Sequence, residues 1–448
     1  MSVKQAWRDM PTHRRVWALA APMILSNLSV PLVALVDSAV VGHLPHAHQL
    51  GAAAVGSALY LLIVGVLGFL RMGTTGFAAQ AAGRGDGGGL RQVLLQGLLL
   101  GLLLATLLGA LAIPFGDAAL ELMNPSAELD GQTRAFLHTR LLGLPAALAN
   151  YALVGWFLGT QNARAPLAIL LLTNLSNAAL SLWFVLGLDW GVVGAARAAV
   201  LAEWSGALLG LALTRGALRA HPGTLDWPAL RRWANWRPLL AVNRDIFIRS
   251  LALQAVFFLV TVQGARLGDA TVAANALLLN GLLLTAYALD GLAHALEALC
   301  GHAIGRADRP ALQRSLVVAG GWSLLASLLF ALFFLLGGRL FVGLQTDIPE
   351  VREVALQYLP YLAVLPLVAV WSYLLDGLFI GATRAREMRD AMLIAFAISL
   401  PLGLLLQGYA NHGLWLTFLG FMLIRGISLG IYARSLNRAG AWFARATA

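Results

Sequence analysis

Charged residues are scarce in this chain of 448 residues: Asp, Glu, Lys and Arg make up 12% of it, whereas hydrophobic residues make up 59%. Soluble domains carry about 25% charged residues, so this sequence lacks the polar surface that a globule of its size needs in water. The composition therefore excludes an ordinary soluble protein and predicts that lipid is its principal solvent.

Several kinds of chemical site are also missing. The single cysteine, Cys300, excludes an internal disulfide and any metal site built from several cysteines. No Walker sequence for phosphate binding occurs, so direct use of ATP by this chain is not expected. His43, His46 and His48 share one short segment, but no cluster of carboxylates accompanies them. We therefore expect no metal site, no cofactor and no enzymatic activity.

The net charge of +10 does not indicate a nucleic-acid partner, because the basic residues lie between apolar segments and not in one patch. Most of them fall near the two termini and in every second predicted loop. Short loops rich in Lys and Arg stay in the cytoplasm, so an inner-membrane protein with both termini cytoplasmic is predicted. The first apolar stretch, which begins near Val16, is too long for a signal peptide and is predicted to span the membrane.

Apolar stretches of about 20 residues or more, enough for a helix to cross a bilayer, recur twelve times. An all-α integral membrane protein with twelve transmembrane helices is therefore predicted. The predicted spans are 14–41, 51–80, 90–113, 132–157, 164–187, 191–214, 243–267, 271–300, 311–338, 353–378, 388–408 and 412–436.

The sequence also contains an internal repeat. The segment AQAAGRGD that begins at Ala79 is matched by GHAIGRAD from Gly301, and GWFLG from Gly155 is matched by GLFIG from Gly377; each pair is 222 positions apart. Repeats in a hydrophobic chain are typical of secondary transporters, whose substrate sites lie between the copies. Two six-helix repeats are predicted, in lobes 1–214 and 243–448 joined by a basic cytoplasmic linker at 215–242.

An ionisable side chain at membrane depth is costly, so each one suggests a function. Asp37 lies in the first predicted helix, within LVALVDSAVVG, and the same helix contains Pro22 and Pro31, each of which tends to bend it. Desolvation opposes the charged form of a buried carboxylate, so Asp37 is a candidate for proton coupling. The alternative is an aspartate near the helix end that water reaches.

The eighth predicted helix contains a second polar group. Tyr287, Asp290, His294 and Glu297 follow the i, i+3, i+7, i+10 spacing of one helical face. Such a stripe suits a proton relay or a cation-binding wall. A polar seam paired with arginines of neighbouring helices, such as Arg71 or Arg266, remains an equal alternative.

Two further spans contain candidate polar side chains. Asn174 and Asn177 are three residues apart in the fifth predicted helix, so their amides are predicted either to bind Asp37 or substrate, or to join neighbouring helices. Asp376 lies near the cytoplasmic end of the tenth predicted helix, where a pair with Arg384 or Arg386 is expected to hold a gate.

Two acids are assigned structural roles. Asp245 and Arg249 are at i, i+4 near the start of the seventh predicted helix, which favours an ion pair between them. Glu203 and Arg197 are six residues apart and do not share a helical face, so each is expected to find its partner on another helix.

Several segments are similar to those of the multidrug and toxic compound extrusion (MATE) family. LAAPMILSNLSVPLVALVDSAVVGHL resembles the opening of that family, and LRMGTTGFAAQAAGRGD resembles its second segment. GWFLGTQNARAP and YLLDGLFIGATRAREM are similar to the ends of its fourth and tenth helices. VNRDIFIRSLALQ and AYALDGLAHALEALCGHAIGRAD most resemble the DinF-like branch.

The resemblance implies two six-helix lobes around a central cavity, and export of organic, often cationic or amphipathic, compounds in exchange for H⁺ or Na⁺. It gives Asp37 the coupling role and Pro22 a role in bending the first helix. Asn177 matches the first residue of an Asn-x-x-x-Asp pattern, but Ser181 replaces the aspartate, and Ala199 stands where related sequences have threonine. Fewer oxygen ligands remain for Na⁺, which favours H⁺.

The resemblance leaves a second ion route open, because Asp290, Glu297 and Asp376 match acidic positions of the branch. The predicted function is that of a monomeric inner-membrane antiporter for small organic substrates, with H⁺ as the coupling ion. The alternative is a flippase for a lipid-linked precursor, a different substrate class on a related architecture.

Overall fold

The computed structural model describes residues 2–42, 44 and 46–443, and all regular structure within them is helical. A π-helix, Leu182–Gly187, continues the eighth α-helix, and a 3-10 turn, Gln407–Tyr409, precedes the last. The all-α prediction is therefore confirmed. The α-helices are α1 (Val3–Trp7), α2 (Met10–Gly42), α3 (Ala47–Val64), α4 (Phe69–Arg84), α5 (Gly87–Met123), α6 (Ala127–Leu141), α7 (Leu144–Gly159), α8 (Arg164–Ser181), α9 (Gly191–Ala220), α10 (Trp227–Arg231), α11 (Trp233–Arg266), α12 (Asp269–Gly305), α13 (Arg309–Gly343), α14 (Pro349–Gly381), α15 (Ala385–Leu405) and α16 (Ala410–Arg438).

Among the described residues, eleven helical segments are long and apolar enough to cross a bilayer, and α6 with α7 supplies a twelfth span that is bent by 41°. Gly143 lies at this bend, and Pro145 follows in the first turn of α7. Proline suits a helix start, because its missing N–H would have no partner there. The helices α3 and α4 also act together, as one span over His48–Arg84. The prediction of twelve spans is confirmed.

In each copy, the helix that follows the second span, α5 or α13, begins with the same capping interaction. Asp86 accepts a hydrogen bond from the Gly89 N–H at 2.7 Å at the start of α5, and Asp308 accepts one from the Ala311 N–H at 2.9 Å at the start of α13. A side-chain oxygen at this position satisfies an N–H that has no partner within the helix. The two caps are 222 residues apart, so the repeat extends to local structure.

Glycines give both copies the same close helix contact. A Cβ atom on Gly155 of α7 would overlap the carbonyl oxygen of Arg71 in α4, and one on Gly377 of α14 would lie 2.6 Å from the carbonyl oxygen of Ala293 in α12. Both members of each contact are related by the 222-residue repeat. Small residues let helix backbones approach closely in membranes, where apolar burial does not drive helices together.

Contacts divide the chain into two units, and one boundary falls inside α2, between Ile24 and Leu25. One unit contains Leu25–Leu239, with the buried Trp156 in its core. The other contains the chain before and after that segment, with the buried Phe418 in its core. The repeat alone would group the first 24 residues with the first copy, so their contacts with the second copy are a finding of the structure.

Replacing Gly377 by alanine tests the shared glycine contact. Its new methyl group would meet a carbonyl oxygen of α12 that cannot move without displacing that helix. We expect Gly377→Ala to destabilise the protein by about 1–3 kcal/mol, as overpacking does elsewhere. Thermal unfolding of the detergent-purified protein measures this. Gly109→Ala is the matched control, because a Cβ there has open space, and an equal loss in both variants would contradict the contact.

Candidate functional site

Asp37, in the second half of α2, is held by two side chains of α8. Asn177 Nδ2 donates a hydrogen bond to Asp37 Oδ2 at 2.9 Å, and Ser181 Oγ donates one to Asp37 Oδ1 at 3.0 Å. Each carboxylate oxygen therefore accepts one hydrogen bond, which suits an ionised carboxylate. The side chain is half-buried. The prediction that an amide of the fifth span binds Asp37 is confirmed for Asn177.

A second polar contact joins α2 to α8 two turns away. Asn174 Nδ2 donates to Ser29 Oγ at 2.5 Å, and Ser29 Oγ donates in turn to the Ser26 carbonyl oxygen at 2.6 Å. Asn174 therefore does not reach Asp37 and joins neighbouring helices, which was the other reading of the asparagine pair. The two levels of contact mean that α2 cannot shift along α8 without breaking hydrogen bonds.

The two prolines of the first span lie within α2, which continues through both of them. Proline has no N–H, so Pro31 leaves the carbonyl group one turn before it without its usual helical partner. Pro22 lies two residues before the boundary between the two units. A change in the shape of α2 therefore needs fewer broken backbone hydrogen bonds near these residues than in an ordinary helix.

The α-helical part of α8 ends at Ser181, and the π-helix Leu182–Gly187 begins at the next residue. π-Helical turns are rare and are frequent at functional sites. The change from α-helix to π-helix therefore occurs directly after Ser181, whose hydroxyl binds Asp37. No feature of the sequence predicted this π-helix.

The second copy lacks the corresponding acid. The repeat places Leu259, Ser399 and Gly403 at the positions of Asp37, Asn177 and Ser181. These three residues line one cavity of about 380 Å³ between α11, α15 and α16, and none of the described residues that line it is ionisable. The carboxylate and its amide partner are therefore special to the first copy.

A buried charge cluster occupies the second copy instead. Asp376 of α14 pairs with Arg249 of α11 and with Arg425 of α16, and the exposed fractions of the three side chains are 9%, 9% and 3%. The predicted pair with Arg384 or Arg386 is wrong, since Arg384 binds Glu387 and Arg386 lies near Asp390. A buried carboxylate is costly without a partner, so it takes partners from other helices at the same depth.

The predicted ion pair between Asp245 and Arg249 is also wrong. Asp245 Oδ1 accepts from Arg389 Nη1 at 2.8 Å and from Arg244 Nη2 at 2.9 Å. Arg249 is taken by Asp376, as described above. The i, i+4 spacing offered a partner on the same helix, but both buried acids take their arginine partners from other helices or, for Asp245, also from the adjacent Arg244.

The stripe on α12 contains two buried and two half-buried residues. His294 and Glu297 are buried, with exposed fractions of 9% and 2%, whereas Tyr287 and Asp290 are half-buried. The two readings, ion route and paired polar seam, both remain predictions.

No group of three or more His, Cys, Asp or Glu residues that could hold a metal ion occurs in the part of the chain that the structure covers. His43 lies outside that part, whereas the rings of His46 and His48 stack at 5.2 Å. Cys300 is fully buried.

Comparison with known proteins decides the family. The sequence profile of the MatE family matches residues 22–183 and 246–406, one match in each copy. The DNA damage-inducible protein F of Escherichia coli K12 is 45% identical over 438 residues, which cover 97% of this chain and 94% of that protein.

The chain belongs to the MATE family.

Two more distant similarities agree with this result. A probable multidrug resistance protein NorM of Rhizobium meliloti is 26% identical and covers 92% of this chain and 91% of its own length. A solved MATE transporter in an outward-facing conformation has a TM-score of 0.87 at 18% identity, over 98% of both chains. Members of this family are transporters and not enzymes, so this multi-pass membrane protein is a transporter, and its fold consists of two six-helix repeats.

One charged group beside the site was missed by the sequence analysis. Arg140 of α6 donates to Glu203 of α9, with 2.9 Å between Nη2 and Oε1. The prediction that Glu203 has its partner on another helix is confirmed, while Arg197 lies over the ring of Trp190 at 4.9 Å. Arg140 lies inside a predicted span, and an arginine at that depth was the available signal.

Removing Asp376, the acid that pairs with two arginines in the second copy, is expected to destabilise this MATE transporter. Asp376→Ala leaves Arg249 and Arg425 buried without their carboxylate, and breaking a buried pair costs about 3–5 kcal/mol. Thermal unfolding in detergent measures the loss. Asp347→Ala is the control, because it removes an exposed partner of Arg352 and should cost at most about 1 kcal/mol. Equal effects of the two substitutions would contradict the structural role of the cluster.

Proposed function

We propose that this transporter is an antiporter that exports organic, cationic or amphipathic compounds in exchange for H⁺, with Asp37 as the coupling group. The observation that carries the proposal is the paired hydrogen bonding of Asp37 to Asn177 and Ser181. Resistance and multidrug functions in the names of related proteins support the substrate class. The inner membrane, cytoplasmic termini and a monomeric state are part of the same proposal.

Protonation would alter the contacts of Asp37 with α8. A protonated carboxyl group has an O–H donor and fewer acceptor sites than a carboxylate. The donors of Asn177 and Ser181 then compete for the remaining acceptor sites of the carboxyl group, so α2 is held less tightly to α8. An α2 weakened at Pro22 and Pro31 can change shape when those contacts weaken.

The same step would release the substrate. Ionised Asp37 attracts an organic cation, and neutral Asp37 does not. A proton and a cation therefore compete for one carboxylate. Each favours a different packing of the first lobe, which is what a ligand-dependent shift between two states requires.

Two local features favour H⁺ as the coupling ion. Asn177 directs its Nδ2 donor at Asp37, which suits a carboxylate but not a metal ligand, since hard cations bind through oxygen. Ala199, at a position where related sequences have threonine, has no side-chain oxygen to offer a metal ion.

Asp37→Asn tests the coupling role. The amide has the size of the acid but cannot exchange a proton, so we expect the rate of ethidium export driven by a pH gradient to fall at least tenfold. The assay uses proteoliposomes that contain the purified protein. The free energy of unfolding of the variant should change by about 1 kcal/mol or less, as is usual away from tightly packed positions.

Asp130→Asn is the matched control, because Asp130 pairs with Arg134 at a part-exposed position, and its transport should be retained. A Na⁺ gradient alone should drive no ethidium export. Retained transport by Asp37→Asn would contradict the role of Asp37, and transport driven by Na⁺ alone would contradict the choice of ion.

A further inference from the structure

We propose that Arg140, held in place by Glu203, is a positioning residue that sets the pH at which Asp37 exchanges its proton. The inference rests on the proposed coupling role of Asp37. It gives a function to a buried ion pair that the transport step described above does not use.

The ion pair is well formed and secluded. Arg140 Nη2 donates to Glu203 Oε1 at 2.9 Å, and the side chains are 12% and 15% exposed. The guanidinium carbon of Arg140 lies 4.0 Å from the ring centroid of Tyr60, a distance at which the ring stabilises a cation. Arg140 is thus held from two sides in a setting where charges are poorly screened by water.

The surrounding backbone fixes Glu203 as well. Asn150 Nδ2 donates to the Glu203 carbonyl oxygen at 2.9 Å, and Trp204 Nε1 donates to the Leu142 carbonyl oxygen at 3.1 Å. A Cβ atom on Gly143 would overlap the Glu203 carboxylate, so only glycine leaves room for this side chain at the bend between α6 and α7. Three contacts therefore anchor α9 where Glu203 meets Arg140.

The arginine acts on two acids at once. Val41 of α2 and Phe136 of α6 belong to one buried apolar cluster. Asp37 lies one turn before Val41 and Arg140 one turn after Phe136, so the two helices bring both charges to the same part of the lobe. The positive charge of Arg140 therefore acts on the Asp37 carboxylate as well as on that of Glu203. Arg140 Nη1 is buried, and the described residues supply it with no hydrogen-bond partner, so Glu203 engages only part of the guanidinium. The charged and titratable groups that face this cluster from the helices around it are Asp37 of α2, Tyr60 of α3, Arg71 of α4, Arg140 of α6, Tyr151 of α7 and Glu203 of α9.

The sign of each effect follows from these charges. Arg140 favours ionised Asp37, and Glu203 offsets part of that attraction. Removing the charge of Glu203 leaves the arginine uncompensated, so Asp37 should hold its proton only at lower pH. Removing the charge of Arg140 leaves a second carboxylate nearby, so Asp37 should hold its proton to higher pH. Removing both charges should leave the midpoint near that of the unsubstituted protein.

The experiment follows the protonated-carboxyl band of Asp37 by infrared titration of the purified full chain in lipid nanodiscs. Asp37→Asn identifies the band by its loss. We expect a shift of the midpoint by about one pH unit downward in Glu203→Gln and upward in Arg140→Gln. The double variant should differ little from the unsubstituted protein. Because Arg140→Gln leaves Glu203 buried and unpaired, Glu203→Gln and the double variant carry the test if that single variant fails to fold.

Arg134→Gln is the matched control. Arg134 lies on the same helix, six residues before Arg140, and its partners Asp117 and Asp130 are part-exposed, so the Asp37 midpoint should not move. An ion pair with only a structural role would lower the unfolding temperature without moving the midpoint.

The outcomes separate this inference from the proposed function. A titrating Asp37 whose midpoint is unchanged in Glu203→Gln overturns the inference alone. An Asp37 that shows no titration in the unsubstituted protein overturns the proposed function and the inference together.

Discussion

The attachment of Asp37 to α8 is the interaction on which the rest of the account depends. One carboxylate accepts from Asn177 at one oxygen and from Ser181 at the other, so in the proposed mechanism its charge state changes how firmly this part of α2 is attached to α8. A protonated carboxyl group can accept fewer hydrogen bonds than a carboxylate. Pro22 and Pro31 precede Asp37 along α2, and each removes a backbone N–H donor, so α2 has fewer backbone hydrogen bonds to break in the part that leads to Asp37.

The two copies share their architecture but differ in their charges. Caps at Asp86 and Asp308 and the glycine contacts recur in both, as expected of duplicated folding units. The position of Asp37 is occupied by Leu259 in the second copy. Glu203 and Arg425 occupy equivalent positions in the two copies and carry opposite charges, with side chains 15% and 3% exposed. The two halves therefore share a scaffold, whereas the acid at position 37 of the first copy is replaced by an apolar residue at the corresponding position of the second.

The sequence alone predicted the architecture well, because each span and the repeat are defined by patterns that do not depend on tertiary contacts. Apolar length defines a span regardless of its neighbours, and the fixed 222-residue offset defines the repeat. The bend at Gly143 and the π-helix after Ser181 were not predicted, since a local change of helix geometry leaves hydropathy unaltered.

The partners of buried charges were predicted less well, because they are decided by which side chains meet at one depth. Asp376 finds Arg249 and Arg425, which are 127 and 49 residues away, and not the arginines nearby in sequence. Arg140 and Glu203 are likewise 63 residues apart. Asn177 was predicted correctly since its span contains few polar side chains that could satisfy Asp37.

The central claim is that a proton and an organic cation compete for Asp37, and proton release on binding tests it most directly. Ethidium is added to the purified protein in weakly buffered detergent solution, and the pH change is recorded across a range of starting pH. We expect release of about half a proton per bound cation at the midpoint of Asp37, rising towards one at lower pH, and none from Asp37→Asn. Binding without proton release, or equal release from both proteins, would contradict it.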